Sequence, residues 1–295
     1  MNAKLERNNR LMKRAGFASV AVALILIVMK AVTFFITGSV AILSSLFDST
    51  QDLITSGVNM VAIHHATEPA DKEHRFGHGK AQGIGSLVQA VIIAIASLFL
   101  MVESVRRLCA PQSLEKVQLG LGITVIAIIL TIFLIRFQTY VVKETKSLSI
   151  AADRAHYTGD ILMNIGVIIS LICSYYLDWE RVDSLFGIGV SLYLFVVVYQ
   201  ILRESCNMLM DKEMPEDFRK TIHTIVHTFP EVTLIHDLKT RQSGSHAFVQ
   251  FSVHLDDTLT LRQAHDITDK IEDRIKEQFP DTEVIIHPEP ERKNS

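Results

Sequence analysis

Residues 39–63 read SVAILSSLFDSTQDLITSGVNMVAI, an apolar run with Asp48 and Asp52 near its middle. A second run, AADRAHYTGDILMNIGVIISLI from Ala151, carries His156 and Asp160 in its opening turns. Each pair is spaced i, i+4, which puts both side chains on one helix face with Cβ atoms about 5–6 Å apart. An ionised residue at a bilayer centre costs roughly 2.5–3.5 kcal/mol, so three carboxylates sum to about 8–10 kcal/mol. Packing does not offset that cost. A divalent cation does, because it neutralises most of the charge and satisfies the oxygens. The two pairs therefore read as one metal site inside a membrane bundle. Helix capping is the competing reading for His156 and Asp160, near the start of their run, but it does not serve the mid-run pair.

Three carboxylates and one imidazole suit tetrahedral zinc at about 2.0–2.2 Å. They also admit Fe²⁺, Mn²⁺, Co²⁺ or Cd²⁺. His156 adds a proton switch. Imidazole titrates near pH 6.5 when unperturbed (about 6.5) and binds metal only when neutral. Metal and protons therefore compete for the site, the thermodynamic core of H⁺/metal antiport.

The rest of the chain fits a membrane protein with a polar tail. It has 295 residues, 48% of them hydrophobic, and a mean hydropathy of +0.27. Long apolar runs fill the first two-thirds. The spacing predicts six spans, near 15–37, 40–63, 82–105, 117–139, 150–176 and 182–206, each long enough to cross about 30 Å of hydrocarbon. The basic segment Lys4, Arg7, Arg10, Lys13, Arg14 precedes the first run, which is too long for a signal-peptide core and reads as a retained span. Lys30, inside that span, either snorkels to a headgroup or pairs with a carboxylate.

Lys/Arg residues in the N-terminal segment, at Lys72, Arg75 and Lys80, and at Lys143, Lys146 and Arg154 fall on one side. The other side has a nearly charge-free turn at Gly38 and Arg181 near Trp179, while Arg106, Arg107 and Lys116 run against the trend. The majority places both termini in the cytoplasm.

The net charge is only −3, and the tail after Asp211 is more acidic than basic, which excludes nucleic acid as its partner. Cys109, Cys173 and Cys206 lack disulfide or zinc-knuckle spacing and read as packing residues. The tail's periodicity predicts a small α/β domain in the order αββαβ, three strands with two helices on one face, with helices starting at Pro215 and Thr260. The resulting division is a transmembrane domain over 1–208, a cytoplasmic metal-binding and dimerisation domain over 209–290, and a tail over 291–295.

The patterns Asp48-x-x-x-Asp52 and His156-x-x-x-Asp160, the loop EPADKEHRFGHGKAQG, and the tail phrases HDLKTRQSG and EVIIHPEP together resemble the cation diffusion facilitator family, in its bacterial zinc and iron efflux branch. The resemblance covers nearly the whole chain in order and spacing. It implies six helices per protomer, a metallochaperone-like αββαβ tail, a homodimer, and efflux of Zn²⁺, or of Fe²⁺ or Cd²⁺, against protons across the bacterial inner membrane.

Asp71, His74 and His78 fall at i, i+3, i+7, which shares a face if the segment is helical, and the resemblance implies a second metal site there. A hydrated polar loop is the plain alternative. In the tail the resemblance implies a site on His236, His265, His287 and Glu289, held partly across the dimer, with Glu289 in place of the usual Asp. Ser252 stands where the family has a bridging His. His254 points to the same strand face two residues on and is a candidate substitute ligand, at a displacement of about 6–7 Å, so the residues alone leave one or two metals open. His223 and His227 read as solvent-facing, and His64 and His65 match no ligand pattern. The resemblance also implies an ion pair of Lys80 with Asp211 linking tail to bundle, and Gln82 stands where the family commonly has Glu.

Two other classes fit the residues less well. An intramembrane metalloenzyme needs an open zinc position and a general base, often as H-E-x-x-H; that motif is absent from the sequence. A metal-sensing receptor needs an output module, and no kinase-like or DNA-binding motif is present. The sequence therefore points to a secondary transporter, not an enzyme.

Overall fold

The computed structural model describes residues 3–37, 40–109, 121–177, 181–244 and 246–291. Gly38, Lys116, Trp179, residues 292–295 and the side chain of Cys173 lie outside the described residues.

Six long helices form the first two-thirds: α1 (Ala3–Thr37), α2 (Val40–Ala66), α3 (Ala81–Cys109), α4 (Leu121–Thr145), α5 (Leu148–Leu177) and α6 (Val182–Leu209). Several run beyond the expected spans, most clearly at the N-terminus. There the basic segment is part of α1 from Ala3 onward, held by an Arg7–Glu144 ion pair to α4 and by Arg10–Glu6 at 3.9 Å. By length and composition α1, α3, α4 and α6 are apolar enough to cross a membrane. The other two, α2 and α5, carry Asp48, Asp52, His156 and Asp160.

Helix α3 packs along α6, α1 packs along α2, and α5 touches α2, α3, α4 and α6. Small residues make the close approach at α5 possible: Ala152 and Ala155 meet Ala90 of α3, with Val190 and Leu194 of α6 beside them. Large apolar side chains such as Phe35 and Phe99 stay exposed on the exterior, as a bundle facing lipid requires. Cys109 and Cys206 are exposed free thiols, not the packing residues expected. Both sit near the ends of α3 and α6, where little covers them.

The tail has the expected order: α7 (Glu216–Val226), β1 (Val232–Ser243), β2 (His246–Leu255), α8 (Leu261–Gln278) and β3 (Thr282–Pro290). The sheet runs β1-β2-β3, with β1 antiparallel and β3 parallel to β2. Helix α8 makes the crossover that a parallel pair demands. It starts at Thr260 in a capping box with Gln263, worth about 1 kcal/mol. Ile222 and Val226 of α7 and Ile267, Ile271 and Ile275 of α8 bury against Val249, Phe251 and Val253 of β2. Both helices thus cover one sheet face. The alternate residues Gln250, Ser252 and His254 point to the other face.

Candidate functional site

Helices α2 and α5 bring three of the four intramembrane candidates together. His156 Nε2 lies 3.0 Å from Asp52 Oδ1 and 3.9 Å from Asp160 Oδ2. One ligand atom from each of Asp52, His156 and Asp160 lies within 4.8 Å of the others. The His156 and Asp52 side chains are 10% and 15% exposed, and Asp160 is 38% exposed. Asp48, one turn along α2, is exposed and stands outside this cluster, but lines the same cavity of about 760 Å³. Lys30 lines it too. Its Nζ donates to the Ser45 carbonyl at 3.0 Å and to Ser49 Oγ at 2.6 Å. Its charge therefore faces the carboxylates from α1 instead of reaching for a headgroup.

A fully buried carboxylate that the motif reading passed over lies one turn from His156. Asp153 is 0% exposed. It accepts hydrogen bonds from Ser56 Oγ (3.3 Å), Gln89 Nε2 (3.2 Å) and Gln138 Nε2 (2.7 Å). Gln138 Nε2 also donates to Ser19 Oγ at 3.0 Å, and Tyr157 OH donates to the Ser19 carbonyl at 3.3 Å while lying 2.9 Å from Ser56 Oγ. Five helices, α1 to α5, meet in this network. The sequence carried a signal: Asp153 precedes His156 by three and Tyr157 by four, so all three share a face.

The loop triad also converges, though not on a helix. Residues 67–80 are turns and bends. Asp71 Oδ1 accepts from the backbone N–H groups of Glu73 (2.8 Å) and His74 (2.6 Å), a side-chain-capped turn. His78 Nε2 is 3.3 Å from Asp71 Oδ2, and the two imidazole centroids are 4.6 Å apart. The His74 N–H foremost holds the Asp71 carboxyl below the usual carboxylate range. His78 Nδ1 is buried without a hydrogen-bond partner among the described residues.

This loop is clamped to the tail. Helix α6 ends with Asp211 in the left-handed region, φ 55°. The Lys212 N–H bonds to the Asn207 carbonyl at 2.9 Å and the Asp211 N–H to Met208 at 3.4 Å, the Schellman pattern. That turn aims the Asp211 carboxylate at Lys80 Nζ (3.0 Å) and Arg241 Nη1 (3.3 Å). Burial acts to raise the Asp211 pKa, but the hydrogen bonds from Lys80 and Arg241 outweigh it and hold the carboxyl below its ordinary value. The Arg241 guanidinium lies 5.0 Å from the Phe76 ring centroid and 4.7 Å from that of Phe248, a cation–π sandwich. Beside it Gly79 meets the hairpin turn at Gly244, φ 62°, so closely that a Cβ on Gly79 would strike the Ser243 carbonyl.

In the tail, His236, His254 and Glu289 offer ligand atoms within 4.8 Å of one another. Both imidazoles approach Glu289, each at 3.7 Å, and their centroids are 5.0 Å apart. His287 Nε2 is 3.9 Å from Glu289. His265 is not in the cluster; its ion-pair contact is Asp269 on its own helix, at 3.5 Å. A bulge after His236, with Asp237 at φ 53°, interrupts the β1–β2 register and turns His236 toward the next row.

Comparison with known proteins places the whole chain. Residues 16–210 match the cation efflux transmembrane domain, and residues 214–291 match the cation efflux protein cytoplasmic domain. The chain belongs to the cation efflux family. The cation-efflux pumps FieF of Salmonella newport and Salmonella agona are each 40% identical to it over 281 residues, 95% of this chain and 93% of the relative. Among solved structures, the metal-bound C-terminal domain of the CzcD transporter from Thermotoga maritima is 27% identical, covering 28% of this chain and all of that one with a TM-score of 0.26. The cytosolic domain of a cation diffusion facilitator family protein is 29% identical, covering 25% of this chain and 90% of that one with a TM-score of 0.25.

Membership in the cation efflux family makes the protein a multi-pass membrane transporter and not an enzyme. It also sharpens the two departures noted in the sequence. Gln82 is buried, and its Oε1 accepts from Ser147 Oγ at 2.9 Å. A neutral amide satisfies that buried position without a charge to pair. Ser252 is opposite both His236 and His287 in the sheet, whereas His254 is opposite Glu289. The tail cluster therefore straddles two rows, His236 in the row of Ser252 and His254 with Glu289 in the next.

Proposed function

We propose that the protein exports a divalent transition-metal ion, zinc foremost with Fe²⁺ and Cd²⁺ as further cargo, from the cytoplasm in exchange for protons by alternating access. The observation that carries this reading is the convergence of Asp52, His156 and Asp160 within 4.8 Å inside the bundle, with Asp48 completing the four ligands after a side-chain movement. Two carboxylates and an imidazole fit a borderline-soft cation. Neutral imidazole binds metal and imidazolium does not, so a proton arriving at His156 favours release.

The loop triad Asp71, His74, His78 and the tail cluster His236, His254, Glu289 with His287 are proposed as accessory metal sites. His265 joins the tail cluster only from the partner of a homodimer. The domains run over 1–208 and 209–290 with a short tail over 291–295, in a bacterial inner membrane with both termini cytoplasmic.

Flux in proteoliposomes tests the proposal. Wild type moves Zn²⁺ in response to an imposed pH gradient, and Asp52→Asn does not. Zinc movement indifferent to that gradient would end the antiport reading. Running Fe²⁺, Cd²⁺ and Mn²⁺ in parallel ranks the cargo.

A further inference from the structure

The ion cluster has different surroundings on its two sides. The cavity lies on the side away from the tail. Its walls come from Lys30 and Ser45, from Phe99 and Leu100 well along α3, from Thr131 near the start of α4, and from Asn164 beyond Asp160. The ends of α2, α3, α4, α5 and α6 that join the loop and the tail are the opposite ends. Toward those ends, one turn from Asp52 comes Ser56 and one turn from His156 comes Asp153. Ser56, Gln89, Gln138 and Asp153 do not line the cavity, and Tyr157 stands between it and their network.

We propose that this Asp153-centred network is the tail-side gate of the ion site. The ion reaches Asp52 and His156 from the tail side only when Ser56, Gln89 and Gln138 let go of Asp153. The inference rests on the transport reading given above. Its physical basis is that three donors from three helices share one acceptor group. Gln89 Oε1 and Gln138 Oε1 have no hydrogen-bond partner among the described residues, so each amide is tied through its N–H groups: Gln89 to Asp153, and Gln138 to Asp153 and Ser19 Oγ. A hub of this kind opens as a unit. Polar groups also suit a gate better than apolar ones, because water entering the open path can satisfy each group as it is released. Asp153 is a positioning residue here; it is not a ligand of the ion.

The test uses the full-length protein in proteoliposomes with Cys109, Cys173 and Cys206 replaced by Ser. Ala152→Cys is the probe: Ala152 is fully buried and lies one turn to the tail side of His156. A membrane-impermeant maleimide is applied from either side. With Asp153 intact, labelling from the tail side is slow. Gln138→Met, which keeps bulk but removes the donor to Asp153 and Ser19, speeds tail-side labelling by at least roughly threefold to tenfold, the shift that loss of a single hydrogen bond gives. Asp153→Asn gives an intermediate rate, since both glutamine amides can turn to accept from its new N–H. Zinc affinity by calorimetry stays within twofold to threefold of about the parent value, because no ligand has been touched. Unchanged tail-side labelling in Gln138→Met overturns the gate. So does faster labelling from both sides with weakened zinc binding, which means general loosening. Labelling reports the gate whether or not ions move. Loss of flux in Asp52→Asn is scored separately, so failure of the gate and failure of the transport reading are distinct results.

Discussion

His156 Nε2 and Asp52 Oδ1 face each other at 3.0 Å across the contact between α5 and α2, with Asp160 one turn further along α5. On the proposed reading the two helices share one ion position, and each contributes a side chain the other needs. Asp52→Asn and His156→Gln each lower zinc affinity by at least about 100-fold, the upper range for loss of a mere outer-shell partner. Calorimetry on the purified protein checks this. The effects are non-additive in the double variant, because both ligands act on the same ion.

The loop triad separates charge from turn geometry. Asp71→Asn keeps an oxygen for the Glu73 and His74 N–H groups but removes the anionic ligand. Asp71→Ala removes both. Both variants lose one bound zinc per protomer by mass spectrometry or equilibrium dialysis. Asp71→Ala alone speeds limited proteolysis within 67–80, because the turn has lost its cap.

Asp211 answers to two constraints that substitution can split. Asp211→Gly tolerates φ 55° but gives up Lys80 and Arg241. Asp211→Ala gives up both pairs and also strains the backbone, by about 1–2 kcal/mol. Thermal melting therefore orders wild type above Gly above Ala. The ion pairs are partly exposed and contribute at most about 1 kcal/mol after solvent screening. Their pH dependence has a definite sign. The folded carboxyl lies below its ordinary 3.8, so its contribution is complete above that value and fades as pH falls through the folded pKa. Wild type and Asp211→Asn then converge in acid and differ at neutral pH.

Gly79→Ala drives a methyl into the Ser243 carbonyl. The backbone on both sides is fixed by its neighbours, so the loop lifts from the hairpin. The Phe76–Arg241–Phe248 sandwich opens, and Arg241 becomes accessible to phenylglyoxal. Gly83→Ala is the control, since the atoms it meets belong to flexible Leu209 and Met208 side chains.

Ser252→His places an imidazole opposite both His236 and His287. An added zinc equivalent per protomer follows, read by calorimetry. His254→Ala in the parent removes the tail equivalent while the intramembrane equivalent remains.

Much of this arrangement was legible in the chain. The intramembrane pairs stood out because an acid in an apolar helix is costly and because i, i+4 spacing leaves one geometric meaning. The αββαβ tail followed from alternation in residues 246–255 and from the apolar residues at helical spacing after Thr260. The loop was harder. Asp71, His74 and His78 fit a helical face by number, yet Asp71 caps a turn with its own carboxylate, and spacing alone does not distinguish the two. His254 was visible as a candidate on the right strand face, and it does join His236 and Glu289; what stayed hidden was the bulge at Asp237, which has no sequence signature beyond one Asp that tolerates positive φ. Asp153 was missed for a different reason. It sits beside Arg154 in a segment rich in charge, where an acid draws no notice until Gln89 and Gln138 are seen to close on it.

Helix α3 starts at Ala81, directly after Gly79 and Lys80, and Gln89 lies nine residues beyond Lys80. At 1.5 Å per residue that is about 13 Å of unbroken helix. The anchorage of the tail and the amide that grips Asp153 are two ends of one short lever arm. A tilt of the tail that drags Lys80 sideways is delivered to Gln89 by the stiffness of fewer than three turns, with no loop between them to absorb it.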